Sequence, residues 1–422
     1  MDFTFTEEQQ AAAEAAKGVF AGVAPDGVPS PSDTTGAVAD DFDRLLWTKL
    51  ADADLLSLLL DPQYGGAGLD AIALSLVLRE SATVLARVPL LEHSAAAATV
   101  QAYGDAELKS RILARAGRGE LVLTAAAHGR TGHDRAELAV TARRDEPQER
   151  AGDGADEGSR ERDEGEVGDR TGDGTGDRSR DAAENGTGDG AGWVLDGVQT
   201  AVPWAHNADF TLVPAHTDSG RTVLALVAPG HQGVVLAEQI STTGERLAEV
   251  RLESARIDAV DVIEADGAWE WMRALLACGT CALALGLGSA VLRMTSEYVG
   301  KREQFGFPVA TFQAVAVQAA DRYIDLRAME ATLWQATWRI ASGAQGALPA
   351  AADIAVAKIW ASEGVRRVVQ TAQHLHGGFG ADTDYPLHRY HAWAKHLELS
   401  LGPAAAHEEA LGDLLAAHPL GG

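Results

Sequence analysis

The chain has 422 residues, 46% of them hydrophobic, enough for several packed layers or one large multi-domain subunit. A formal net charge of −26 argues against nucleic acid or an anionic membrane surface as a partner. Met1 to Gln10 is acidic and polar, unlike a signal peptide, and no window holds the ~18 uninterrupted apolar residues of a membrane helix.

Residues 1–118 read as a helical domain. Thr6-Glu7-Glu8-Gln9 is a capping-box pattern at a helix start. Phe42, Leu45, Leu46, Trp47 and Leu50 recur at helical spacing over Asp41 to Ala53. After a glycine turn, Tyr64-Gly65-Gly66-Ala67-Gly68-Leu69-Asp70, the pattern continues over Ile72 to Leu85 and Leu90 to Tyr103.

Residues 119–260 read as a β domain. Leu121 to Thr124, Leu138 to Val140, Trp193 to Leu195, Phe210 to Val213 and Thr222 to Val227 are strand-like runs between Gly, Asp and Asn turns. A tract from Arg143 to Gly192 interrupts them with 8 arginines, 16 acidic residues and almost nothing apolar. Such a composition buries too little surface to offset its ordering entropy, which predicts a disordered insertion.

From 266 to 418 the chain reads as an antiparallel helical bundle: Trp269 to Gly300, Thr311 to Gly343, Ala350 to His376, and a shorter helix from His391 onward. Cys278 and Cys281, the two cysteines, lie in its first, alanine-rich helix. They have neither a second ligand pair nor a strand-to-helix setting, so they read as small core residues of a protein in a reducing cytoplasm. Two glycine-rich turns end helices here: Arg302-Glu303-Gln304-Phe305-Gly306, and His376-Gly377-Gly378-Phe379-Gly380 before Tyr385-Pro386. Gln313 lies between them. A guanidinium pairs with phosphate, and glycines let backbone N–H groups approach it, so the set suits a dinucleotide.

These motifs, with Tyr64 to Asp70 and the helix–sheet–helix order, resemble the acyl-CoA dehydrogenase family over nearly the whole chain outside the insertion. The resemblance implies a mainly α fold with a middle β domain, and FAD whose adenine and pyrophosphate end is held by a neighbouring subunit. The holding positions are Arg302, Phe305, Gln313, Gly377, Gly378 and Gly380, with His374 where the family often has glutamine. It also implies an acyl-CoA substrate and electron-transfer flavoprotein as the electron acceptor.

On the flavin-ring side the pattern departs. The loop after the first strand, Thr124 to Gly132 with His128, lacks the family's acidic, Gly-Ser-rich character. Ala201-Val202-Pro203 stands where Trp-Ile-Thr is usual, with Trp204 one position late. Desaturation removes an α proton as hydride leaves the β carbon, and a carboxylate of raised pKa takes that proton. Counting from Tyr385-Pro386, one family position for it is Leu401; counting back from Gly286, the other is Leu276. Neither accepts a proton. Glu398, about one helical turn before Leu401, is the candidate for a displaced base, while His128, His388 and His391 read as structural histidines.

The expectation is one subunit of a hetero-oligomer resembling the actinobacterial dehydrogenases of steroid side chains, its acyl-CoA dehydrogenase-like partner supplying the glutamate. A self-sufficient homotetramer, a non-catalytic scaffold subunit and a flavin monooxygenase on the same fold remain open.

Overall fold

The computed structural model describes residues 4–132, 135–145 and 192–419. Helix α1 (Glu7–Phe20) begins at the capping box: the Thr6 hydroxyl accepts from the Gln9 N–H at 3.2 Å, and the Gln9 side chain accepts from the Thr6 N–H at 3.0 Å. The amide nitrogen of Gln9 also donates to Asp70, at 3.0 and 3.1 Å, and Asp70 caps α3 (Ala71–Ala82). One glutamine therefore ties two helix starts together. Helices α2 (Arg44–Asp52), α4 (Leu90–Tyr103) and α5 (Ala106–Gly117) complete this layer, α2 and α5 capped by Asp43 and Asp105.

The β domain is an eight-stranded sheet of β1 (Leu123–Ala125), β2 (Val140–Arg144), β3 (Trp193–Pro203), β4 (Phe210–Thr217), β5 (Thr222–Val227), β6 (Val234–Ile240), β7 (Arg246–Ile257) and β8 (Val262–Ile263). Its order is β6-β7-β3-β2-β4-β5-β8, with β1 parallel to β4. Strands β6 and β7 carry enough Glu, Gln and Arg to hide them from a reading by apolar runs. The expected insertion begins too early: Arg143 and Arg144 pair with Val194 and Trp193, and the Arg144 guanidinium lies 4.2 Å over the Trp193 ring. The rest of that tract, 146–191, lies outside the described residues.

Strand β3 bends twice, at register shifts between Leu195 and Gly197 and between Gln199 and Val202. A Cβ on Gly197 would sit 2.3 Å from the Ala139 carbonyl, so only glycine allows the first bend. The second delivers Ala201 and Trp204, both at positive φ, to the junction with the helices.

The bundle consists of α6 (Ala268–Lys301), α7 (Gln313–Ser342), α8 (Ala350–His376), α9 (Leu387–Leu399) and α10 (Ala404–Ala417). The expected single helix from His391 onward is thus two helices. They break where Leu401 and Gly402 adopt positive φ and Pro403 follows. Helix α6 is long and apolar enough to cross a membrane, yet 83% of its most apolar stretch is buried inside the protein. It packs on α3, α7 and α8, and a Cβ on Gly286 would overlap the Arg79 carbonyl of α3 at 2.0 Å. Cys278 and Cys281 are free and buried here, and burial pushes the Cys281 thiol up to about 12.

Candidate functional site

Sheet, N-terminal helices and bundle meet around a cavity of about 100 Å³. Ala125, Ala127 and His128 come from β1 and the loop after it, and Ala201, Pro203 and Trp204 from the second bend of β3. Leu276, Thr280 and Leu283 come from α6, and Trp393, His396 and Leu401 from α9 and its C-terminal turn. Both positions expected to carry a base, Leu276 and Leu401, therefore face one space with apolar side chains. Sites that enclose a drug-sized ligand run to roughly 300–1,000 Å³, so this space does not fit a flavin ring stacked on a thioester. Trp204 is packed edge-on to Phe42 at 6.1 Å and lines the cavity as well, so it is at once a core and a wall residue.

Glu398 is not among the lining residues; its carboxylate pairs with Lys395 at 2.7 Å. Among the described residues, the acids at the cavity are Glu92 and Glu245. Glu245 forms a bidentate pair with Arg87. Glu92, in the first turn of α4, is half-buried and lines the cavity. Burial raises its pKa to about 7, against the opposing hydrogen bonds from its own N–H and the Trp204 indole. His396 is held neutral by burial, its pKa lowered to about 4. Sequence reasoning missed both; the one available signal for Glu92 was a lone carboxylate in an alanine- and leucine-rich helix. His388 bridges the Tyr385 carbonyl and the Ser30 hydroxyl, at 2.7 and 2.9 Å, a structural setting. His391 is half-buried and does not line the cavity.

The Leu401 turn is held by Lys358, whose side chain is fully buried. Its ammonium donates to Ser362 at 2.7 Å and to the Gly402, Glu398 and Leu397 carbonyls at 3.0, 3.2 and 3.3 Å. Burial lowers its pKa to about 8. A charge donating to helix-terminal carbonyls satisfies groups that α9 leaves open at its end.

The dinucleotide motifs lie elsewhere, at one end of the bundle. Arg302 ends α6, and the two-stranded hairpin of β9 (Glu303–Gln304) and β10 (Phe307–Pro308) follows, with Phe305 at its tip, 90% exposed. Phe312, next to Gln313, packs against Phe305 at 6.4 Å. The Tyr298 ring of α6 stacks on His376 at 4.4 Å, bringing Gly377, Gly378 and Gly380 to the same end; His374 is exposed there too. Gly377 has φ +60, and both it and Gly378 have open space where a Cβ would be. Arg302 is exposed and forms no ion pair with Glu303 or Asp321 among the described residues. An exposed guanidinium and an open glycine turn at one end of the bundle are groups that suit a phosphate ester. This end suits a dinucleotide, and the cavity does not suit a flavin ring.

Residues 6–120 match the acyl-CoA dehydrogenase N-terminal domain and residues 269–415 the acyl-CoA dehydrogenase C-terminal domain. Acyl-CoA dehydrogenase FadE27 of Mycobacterium tuberculosis is 33% identical over 99% of this chain and 100% of its own length. The chain belongs to the acyl-CoA dehydrogenase family. That family comprises FAD-dependent oxidoreductases acting on the CH–CH bond of acyl-CoA. Among solved structures, the ChsE4-ChsE5 complex from Mycobacterium tuberculosis matches all of both chains at TM-score 0.79 and 32% identity. A variant of the steroid ACAD Tcur3481-Tcur3483 matches 97% of this chain and 98% of its own at TM-score 0.78 and 31% identity. The three-part fold and the expected family agree with these matches.

Proposed function

We propose that this chain is one subunit of a hetero-oligomeric acyl-CoA dehydrogenase that acts on a steroid-type CoA thioester. A second acyl-CoA dehydrogenase-like subunit supplies the catalytic glutamate and the flavin-ring pocket. This chain supplies Arg302, Phe305, Gln313, His374, Gly377, Gly378 and Gly380 to the adenosine and pyrophosphate end of FAD. The observation that carries the reading is the filled cavity: Leu276 and Leu401 face about 100 Å³ of space while the dinucleotide end stays open and unpaired. The paired names of its relatives, ChsE4-ChsE5 and Tcur3481-Tcur3483, support it. So do Val317, Tyr323 and Ile324, each more than half exposed on α7, an apolar surface of the kind that marks an interface.

FAD supplies the hydride acceptor when bound across the interface. The work of this chain is to pair its guanidinium with phosphate, to offer backbone N–H groups at the glycine turn, and to exclude substrate from its own cavity. Electron-transfer flavoprotein as acceptor and a reducing cytoplasm complete the reading, the latter in keeping with two free thiols.

The test is bound FAD per chain, by absorbance, for the protein alone and co-expressed with the partner subunit. Little flavin alone, rising to about one per heterodimer, is the expected result. One FAD per isolated chain overturns it. Glu92 favours a second reading, a self-sufficient enzyme, because among the described residues it is the cavity acid that forms no ion pair. Turnover by the chain alone, abolished in Glu92→Gln, is the outcome that reading requires.

A further inference from the structure

We propose that Tyr298, His376 and Tyr385 form a positioning stack that sets the spacing between the Arg302 turn and the Gly377 turn, and through it how firmly this chain holds a neighbour's dinucleotide. The proposal rests on the reading given under Proposed function.

The two turns come from different helices, and the stack joins them. The Arg302 N–H donates to the Tyr298 carbonyl at 2.8 Å, which fixes the Arg302 backbone one helical turn beyond Tyr298. That ring lies on His376 at 4.4 Å with the planes 21° apart, and the Tyr298 hydroxyl donates to the His376 carbonyl at 3.4 Å. The next residue is Gly377. A shift of either ring therefore moves the Arg302 backbone relative to the Gly377 turn.

His376 also holds the stack in one protonation state. Its ring is buried, with Nδ1 2.8 Å from the Ala372 carbonyl. A carbonyl only accepts, so Nδ1 carries the proton. Nε2 of the neutral ring then accepts from the Tyr385 hydroxyl at 3.1 Å. Protonation turns Nε2 into a donor, forces that hydroxyl to reorient, and buries a charge; a cation over the Tyr298 face recovers part of the loss. Burial is also the main cause holding the His376 pKa below the usual histidine value. The groups around the ring are Tyr298 from α6 and Tyr385 from the segment before α9, with Glu297 acting on Tyr385 and His374 exposed one half-turn back on α8.

The experiment uses the co-expressed complex and measures FAD retained after gel filtration, by fluorescence of the released flavin, from pH 8 down to pH 5. Complex integrity is checked by sizing and a thermal melt at each pH. Wild type is expected to lose FAD on the acidic side. His376→Phe, which keeps a stacking ring with nothing to titrate, is expected to flatten that response. Tyr298→Ala is expected to weaken retention about three- to tenfold at every pH, and Tyr298→Phe to restore most of it. An unchanged pH response in His376→Phe, or wild-type retention in Tyr298→Ala, overturns the stack if Arg302→Ala still loses FAD. If Arg302→Ala also retains FAD, the clamp itself fails and the proposal with it.

Discussion

Leu276 of α6 and Leu401 of the turn after α9 wall the same cavity. Leu276 is 4% exposed, so Leu276→Ala is expected to destabilise the chain by about 2–5 kcal/mol in urea unfolding, through lost burial plus a larger cavity. Leu276→Glu puts a carboxyl at a position expected from the sequence to carry the base, without making room for a flavin ring. No desaturation by the isolated chain is expected from it, and measurable turnover would contradict the filled-cavity account.

Glu92 titrates near pH 7 in the folded chain against an ordinary value of 4.5. The folded state therefore binds the extra proton between those values, and the stability this confers is present below pH 4.5 and lost as pH rises through 7. Glu92→Gln mimics the protonated acid. It is expected to be more stable than wild type at pH 8 by about 1–3 kcal/mol, with the gap closing toward pH 5. Denaturant midpoints at the two pH values check it; parallel curves would show that the acid is better solvated than its surroundings imply.

Lys358→Met keeps the bulk and removes the donor. The carbonyls of Leu397, Glu398 and Gly402 and the Ser362 hydroxyl then lose a common partner, at an expected cost of about 3 kcal/mol or more. Hydrogen exchange should speed up first at the amides of the α9–α10 turn. Uniform exchange across the bundle would mean that the lysine supports the whole core and not that turn.

Both thiols are buried and have raised pKa values, Cys281 to about 12. A thiol reagent at pH 8 is expected to find almost none of the two in the native chain and both after unfolding. Rapid modification in the native state would place them outside the core.

Local chemistry made much of the fold legible. The Thr6–Gln9 capping box and the boundaries at Leu90, Tyr103, Ala350 and His376 depend on residues a few positions apart, and the structure has them where the pattern puts them. Strands β6 and β7 escaped because apolar runs are a poor signal where a strand alternates with charge, as Arg246, Glu249 and Arg251 do. The single helix expected from His391 overlooked that Leu401, Gly402 and Pro403 stop a helix one turn after Lys395 to Leu399 favour it.

Sequence by itself determined the family, the order of its three parts, the two glycine turns and the absence of a carboxylate at Leu276 and Leu401. All of these are written in residue identity and spacing. Only the tertiary structure decided that Glu92, not Glu398, shares the cavity with those leucines. It also decided that Lys358 holds the Leu401 turn and that Tyr298 lies on His376 between Arg302 and Gly377. Burial, pKa and the meeting of distant turns depend on what the folded chain packs around a group, and short-range pattern carries no record of that.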